Sequence, residues 1–148
     1  MTIFFGILDR RDGHLSYSNA GHTTAAVLRD GTVSTLGSTG TIVGAFPYAG
    51  FSQAEIWLDP NDVLFLYTDG LTEARCGREL YGETRLFEVL GFQTTAAPTE
   101  VVERIVDDVM LFCECELRDD LAILALRLVD ADARGAGQPQ LDFSSLEQ

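Results

Sequence analysis

The chain has 148 residues, 46% of them hydrophobic, enough for one ordinary globular domain with a core of its own. Lysine and arginine total 10 against 23 aspartates and glutamates, a formal net charge of -13. That balance argues against nucleic acid and against anionic membranes, both of which demand basic clusters, and suits divalent cations or a basic protein partner.

In chain order, the first ~70 residues are expected to form strands joined by tight turns, in the manner of a meander. Thr2 to Leu8 is an apolar run, turned by Arg10-Arg11-Asp12-Gly13 into the alternating segment His14 to Ser18. Thr24 to Leu28 forms the next strand, and Asp30-Gly31 signals a hairpin into Thr32 to Leu36. A glycine-rich loop follows, holding Gly37, Gly40, Gly44 and Gly50, and then Ser52 to Leu58 alternates again. Asp59-Pro60-Asn61-Asp62 turns into Val63 to Tyr67, a continuous β-forming apolar run of the kind buried on both faces of a sheet. This run is expected to carry the chain to Asp69 at the sheet rim, where Asp-Gly signals a turn and Gly70 leaves room for a ligand or metal to approach.

Beyond Asp69 the apolar period becomes helical. Leu86, Phe87 and Leu90 share one face of a short helix. A longer helix is expected from about Pro98 to Cys113, with Val101, Val102, Ile105, Val106, Val109 and Met110 as its apolar stripe. Pro98 suits a first helical position and Glu100 a first turn. Leu121 to Leu128 is a last strand, entered through Asp119-Asp120, and residues 130–148 turn to Ala, Gly, Gln, Pro and Ser, the composition of a loose tail. No segment reaches the ~20 apolar residues of a membrane span, and the start lacks signal-peptide features. Cys76, Cys113 and Cys115 fit neither a zinc nor a thioredoxin spacing and are read as reduced thiols in a cytoplasmic protein, Cys113 within the core.

Asp69 and Asp119 thus stand at the ends of two core strands, a pattern that suggests a site for a hard cation. Each alone is more simply a turn or strand-entry aspartate, since aspartate is common there; the two together with the motifs around them favour the site. His22, after Asn19-Ala20-Gly21, is a ligand or acid candidate, although a lone histidine at a strand end more often serves structure. Three other readings fail. Tyr67 stands where a haloacid-dehalogenase phosphatase needs its nucleophilic aspartate. Val63 and Phe65 stand where a calcium loop needs oxygen ligands. The glycine loop lacks the lysine of a P-loop.

Four elements occur in a fixed order: Tyr17-Ser18-Asn19-Ala20-Gly21-His22, then Leu64 to Arg75 reading LFLYTDGLTEAR, then Leu80-Tyr81-Gly82, then Arg118-Asp119-Asp120 before an apolar strand. Over roughly residues 2–129 this set closely resembles the bacterial metal-dependent serine/threonine phosphatases of the protein phosphatase 2C class, in the branch of sporulation stage II E and stress sigma-factor regulators. The resemblance implies an α/β fold, a partial phosphatase 2C-like β-sandwich of mostly antiparallel strands flanked by helices. It also implies that Asp69 and Asp119 bind Mn²⁺ or Mg²⁺, with Asp120, Gly70 and His22 supporting from behind. The implied substrate is a phosphoprotein or regulatory protein, such as an anti-sigma-factor antagonist.

The family's earlier motifs, Gly-Asp-x-Tyr-Asp and Asp-Val-x-Gly-His-Gly, would fall before Met1. The expectation is therefore the C-terminal part of the domain in residues 1–129, holding at most one weakly bound ion where the complete domain holds two. Exposed sheet edges or an apolar face are then expected to favour homo-oligomers. The alternative is a non-catalytic protein-binding module on the same fold. Smaller departures are Thr23-Thr24 where the family has prolines and Ala122 where it has threonine.

Overall fold

The computed structural model describes residues 1–93, 96–114, 117 and 119–129. The expected tail at 130–148, with Cys115 and Arg118, lies outside the described residues.

The chain builds two antiparallel sheets and a helical layer. Strands β1 (Ile3–Leu8), β2 (His14–Ala20) and β5 (Ala54–Trp57) form one sheet in the order β1-β2-β5. Strands β3 (Ala25–Arg29), β4 (Thr32–Leu36), β6 (Val63–Tyr67) and β9 (Ile123–Arg127) form the other, in the order β4-β3-β6-β9. The strands expected from the sequence are all present, but not as a meander. Each hairpin stays within one sheet, and the connections β2–β3, β4–β5 and β5–β6 cross between sheets. Alternating strands of this kind have one face to bury, and two sheets packed face to face bury it more completely than one open ribbon.

The inter-sheet core holds Leu15 and Tyr17 from β2, Ala25 and Val27 from β3, and Leu64 from β6, with Leu58 beside them. The opposite face of the second sheet, through Ala26, Leu28, Val63, Phe65 and Tyr67, packs against the helices. Strand β6 is therefore sandwiched, as its unbroken apolar sequence predicts; Phe65 is fully buried. Helix α2 (Gly82–Gly91) contributes Leu86 and Leu90 to this second core. Helix α3 (Pro98–Phe112) contributes Val101, Ile105 and Val109. Burying each such side chain is worth about 1.5–3 kcal/mol, so this stripe fixes the helix on the sheet. At its start, Glu100 accepts a hydrogen bond from the Ala97 backbone N–H at 3.0 Å, satisfying one donor at the helix entrance.

Two short elements were not evident in the sequence: a one-turn helix α1 (Asp69–Thr72) and a two-residue hairpin, β7 (Arg75–Cys76) with β8 (Glu79–Leu80). The outer face of the first sheet bears Phe5, Ile7 and Trp57, each more than half exposed, and no described helix covers it. Among the described residues no helix is long and apolar enough to cross a membrane.

Candidate metal centre

Strand β6 ends at Tyr67 rather than at Asp69. Thr68 is extended, and Asp69 opens helix α1, its carbonyl accepting the Glu73 N–H at 2.8 Å. The sequence predicts a turn here; Leu71, fully buried, pulls the segment into a helical turn against the core.

Thr68 joins the two aspartate-bearing segments. Its N–H donates to the Ala122 carbonyl at 3.0 Å, its Oγ1 donates to the Asp120 carbonyl at 3.0 Å, and the same Oγ1 accepts the Ala122 N–H at 3.0 Å. The β6–β9 pairing, Tyr67 opposite Ile123, is thereby extended past the sheet end. Gly70 lies flush against the joined segment: a Cβ added there would stand 2.4 Å from the Asp120 carbonyl oxygen and 3.5 Å from the Asp119 carbonyl carbon. The sequence expects a ligand or metal to approach the backbone at Gly70; the group that lies against it in the structure is the Asp120 peptide. Asp69 and Asp119 therefore flank one backbone contact although 50 positions separate them in sequence.

Both aspartates are exposed. Among the described residues neither carboxylate is held by an arginine; Asp119 Oδ1 accepts only the Asp120 N–H, at 2.8 Å. Two free carboxylates suit a hard, oxygen-seeking ion. No group of three histidine, cysteine or acidic side chains able to hold a metal occurs among the described residues. The donor chemistry fits Mn²⁺ or Mg²⁺; the donor number fits only an ion that keeps most of its water.

His22 belongs to a third segment at the same sheet end. Asn19, buried, accepts the His22 N–H on Oδ1 at 3.0 Å and donates Nδ2 to the Thr23 carbonyl at 3.3 Å. The Thr23 hydroxyl donates to the Tyr67 carbonyl, tying this turn to the end of β6. Threonine in place of the family's proline thus supplies a hydrogen bond that proline has no donor to make. Gly21, at φ +72°, lets the turn close against Ile42. Asn19, Thr23 and Thr68 stand in or beside the quoted motifs, but the sequence did not assign them these bonds. Their only signal is adjacency to His22 and Asp69, since a hydroxyl's partner is not encoded locally.

Behind the rim, Tyr67 donates its phenol to Glu83 on α2 at 2.9 Å, and burial first, then this bond, pushes the phenol above the usual tyrosine range. Strand β6 is so held on both sides of its end.

Against known proteins, the family model described as stage II sporulation protein E (SpoIIE) matches residues 1–129. Protein IcfG of Synechocystis sp. is 36% identical over 128 residues, covering 84% of this chain and 20% of that protein. The phosphoserine phosphatase RsbU of Bacillus subtilis is 23% identical over 129 residues, covering 86% of this chain and 38% of that protein. Among solved structures, the manganese-presoaked phosphatase domain of SpoIIE from Bacillus subtilis superposes with a TM-score of 0.70 at 18% identity, covering 94% of this chain and 59% of that one. The chain thus spans a fifth and about two fifths of the two curated relatives, and somewhat over half of the solved domain. Its mixed α/β architecture of antiparallel sheets and flanking helices is that of the phosphatase 2C domain. Match and fold together establish that the chain belongs to the SpoIIE family of phosphatase 2C-type proteins and carries part of that family's phosphatase domain.

Proposed function

We propose that this chain serves the metal-dependent removal of phosphate from serine or threonine on a bacterial regulatory protein, such as an anti-sigma-factor antagonist. The observation that carries this reading is the Thr68–Gly70 contact with Asp119–Ala122, which sets two carboxylates, unpaired among the described residues, on either side of one joint. Asp69 and Asp119 would hold Mn²⁺ or Mg²⁺, with further donors supplied from outside the described residues. When bound, such an ion lowers the pKa of a coordinated water and offsets the charge of phosphoryl oxygens. Asp120 and Gly70 fix the spacing of the two segments through backbone contact, and His22 stands at the same rim on a turn braced by Asn19.

The similarity to a phosphoserine phosphatase supports the reaction class, and the manganese-soaked relative supports the choice of ion. Residues 1–129 act as the domain segment and 130–148 as a tail; the family match, which ends at 129, supports that division. The free thiols Cys76 and Cys113 agree with a cytoplasmic setting. The bare outer face of the first sheet is the surface through which copies would associate, and sedimentation that stays monomeric at high concentration rejects that part.

The test is calorimetric titration with Mn²⁺ of the chain and of Asp69→Asn and Asp119→Asn, alongside hydrolysis of p-nitrophenyl phosphate. Binding that both substitutions abolish supports the reading. Binding that survives either one overturns the site. The lack of a third donor among the described residues favours a second reading, a protein-binding module without turnover; Mn²⁺ binding without hydrolysis selects it.

A further inference from the structure

A groove of about 450 Å³ runs between the β7–β8 hairpin, α2 and α3, on the helical layer. Its floor is built around one arginine. The Arg85 guanidinium lies 5.3 Å from the centre of the Tyr81 ring and 4.9 Å from that of Phe112. Its Nε donates to Asp108 Oδ2 at 3.0 Å, and the Tyr81 hydroxyl donates to the same oxygen at 2.7 Å. Arg85 and Asp108 are thus spent on each other, and neither offers a free charge.

What the groove does offer is different. Leu80 is 44% exposed on one wall and Phe92 82% exposed at the end of α2. Two exposed carboxylates, Glu79 and Glu88, line the same groove and have no partner among the described residues. Arg75 and Arg78, on the same hairpin, do not line it. Apolar side chains on the walls, edged by acids unpaired among the described residues, are complementary to a segment that carries apolar and cationic side chains together.

We propose that this groove docks a basic amphipathic segment of a partner protein. Its apolar side chains rest on Leu80 and Phe92, and its lysine or arginine side chains meet Glu79 and Glu88. The groove belongs to α2, the helix whose Glu83 accepts the Tyr67 phenol. The proposal does not depend on a metal at Asp69 and Asp119, and the probe below contains none.

The experiment titrates the whole chain with a short synthetic peptide of alternating lysine and leucine, followed by backbone amide NMR. Shifts confined to Leu80–Phe92 and to the end of α3 are expected. The double substitution E79K/E88K should weaken binding about tenfold and admit a glutamate–leucine peptide instead. F92S, at an exposed position that spares the fold, should also weaken the lysine peptide. E103K/D107K, the same charge change on exposed α3 positions outside the groove, should leave affinity unchanged. Three results overturn the proposal: shifts spread over the acidic surface, equal loss in E79K/E88K and E103K/D107K, or preference of the unaltered chain for the glutamate peptide.

Discussion

Replacing Gly70 by alanine sets two effects of opposite sign against each other. Alanine is the better helix former, by up to about 1 kcal/mol, and Gly70 is in a helix. Against this, the new Cβ would stand 2.4 Å from the Asp120 carbonyl oxygen, where ordinary contact begins at 3.4 Å. The two backbones would have to part by about 1 Å, an overpacking cost of about 1–3 kcal/mol. They cannot part without stretching the Thr68 bonds to Asp120 and Ala122, each worth about 0.5–1 kcal/mol in an exposed setting. The clash wins, and G70A should be less stable by about 2 kcal/mol net, a fall of about 1–2 M in the urea midpoint. Mn²⁺ affinity should fall with it, because the same movement separates Asp69 from Asp119. G37A is the control, since nothing lies within 4 Å of its added Cβ; it should be neutral or slightly stabilising. A G70A protein as stable as the parent, or more so, would mean that helix preference prevailed and that the two segments are not in contact.

Arg29→Ala strands the Asp62 carboxylate, which is 3% exposed and bonded to Arg29 Nε at 3.0 Å; urea denaturation should register a loss of about 2–3 kcal/mol, discounted for the half-exposed arginine. Ile105→Ala empties a fully buried site beneath α3 and should cost about 2–5 kcal/mol by the same measurement. The hydrogen bonds from Arg85, chiefly, hold the Asp108 carboxyl below the usual aspartate range. Its stabilising effect is complete above that range and is lost as pH falls through the lower folded value. Acid unfolding of Asp108→Asn should therefore be flatter below pH ~4 than that of the parent. Tyr67→Phe removes the bond to Glu83 and should cost about 1 kcal/mol by thermal melting.

Much of the scaffold could be read in advance because it depends on local pattern. The run Val63 to Tyr67 has no polar alternation, and a strand of that kind has to be covered twice. Asp30-Gly31 dictates its hairpin through backbone conformation, with both residues at positive φ. The α3 stripe needs only its own period. What escaped was non-local. Nothing in β2 or β3 states which sheet each joins, because an alternating strand specifies a buried face but not the partner that buries it. Arg75-Cys76 and Glu79-Leu80 are exposed and too short for any periodicity, so their hairpin was invisible. At the rim, Asp69 and Asp119 stood out as carboxylates, but the device that joins them is a threonine hydroxyl and a missing methyl group. The role of Gly70 was half legible: close approach was foreseeable, the approaching peptide was not.

The pairing of β6 with β9 also governs when the rim can exist. Strand β9 is the last described element, and its contacts with β6 close the long loop that runs from Tyr67 to Ile123. Long loops close late, since their entropy is lost before any contact compensates. During synthesis the earlier strands can collapse while Asp119 is still inside the ribosome. A partly folded chain therefore has Asp69 without its counterpart, and on the metal site proposed above, Mn²⁺ affinity would arise only once β9 has paired with β6.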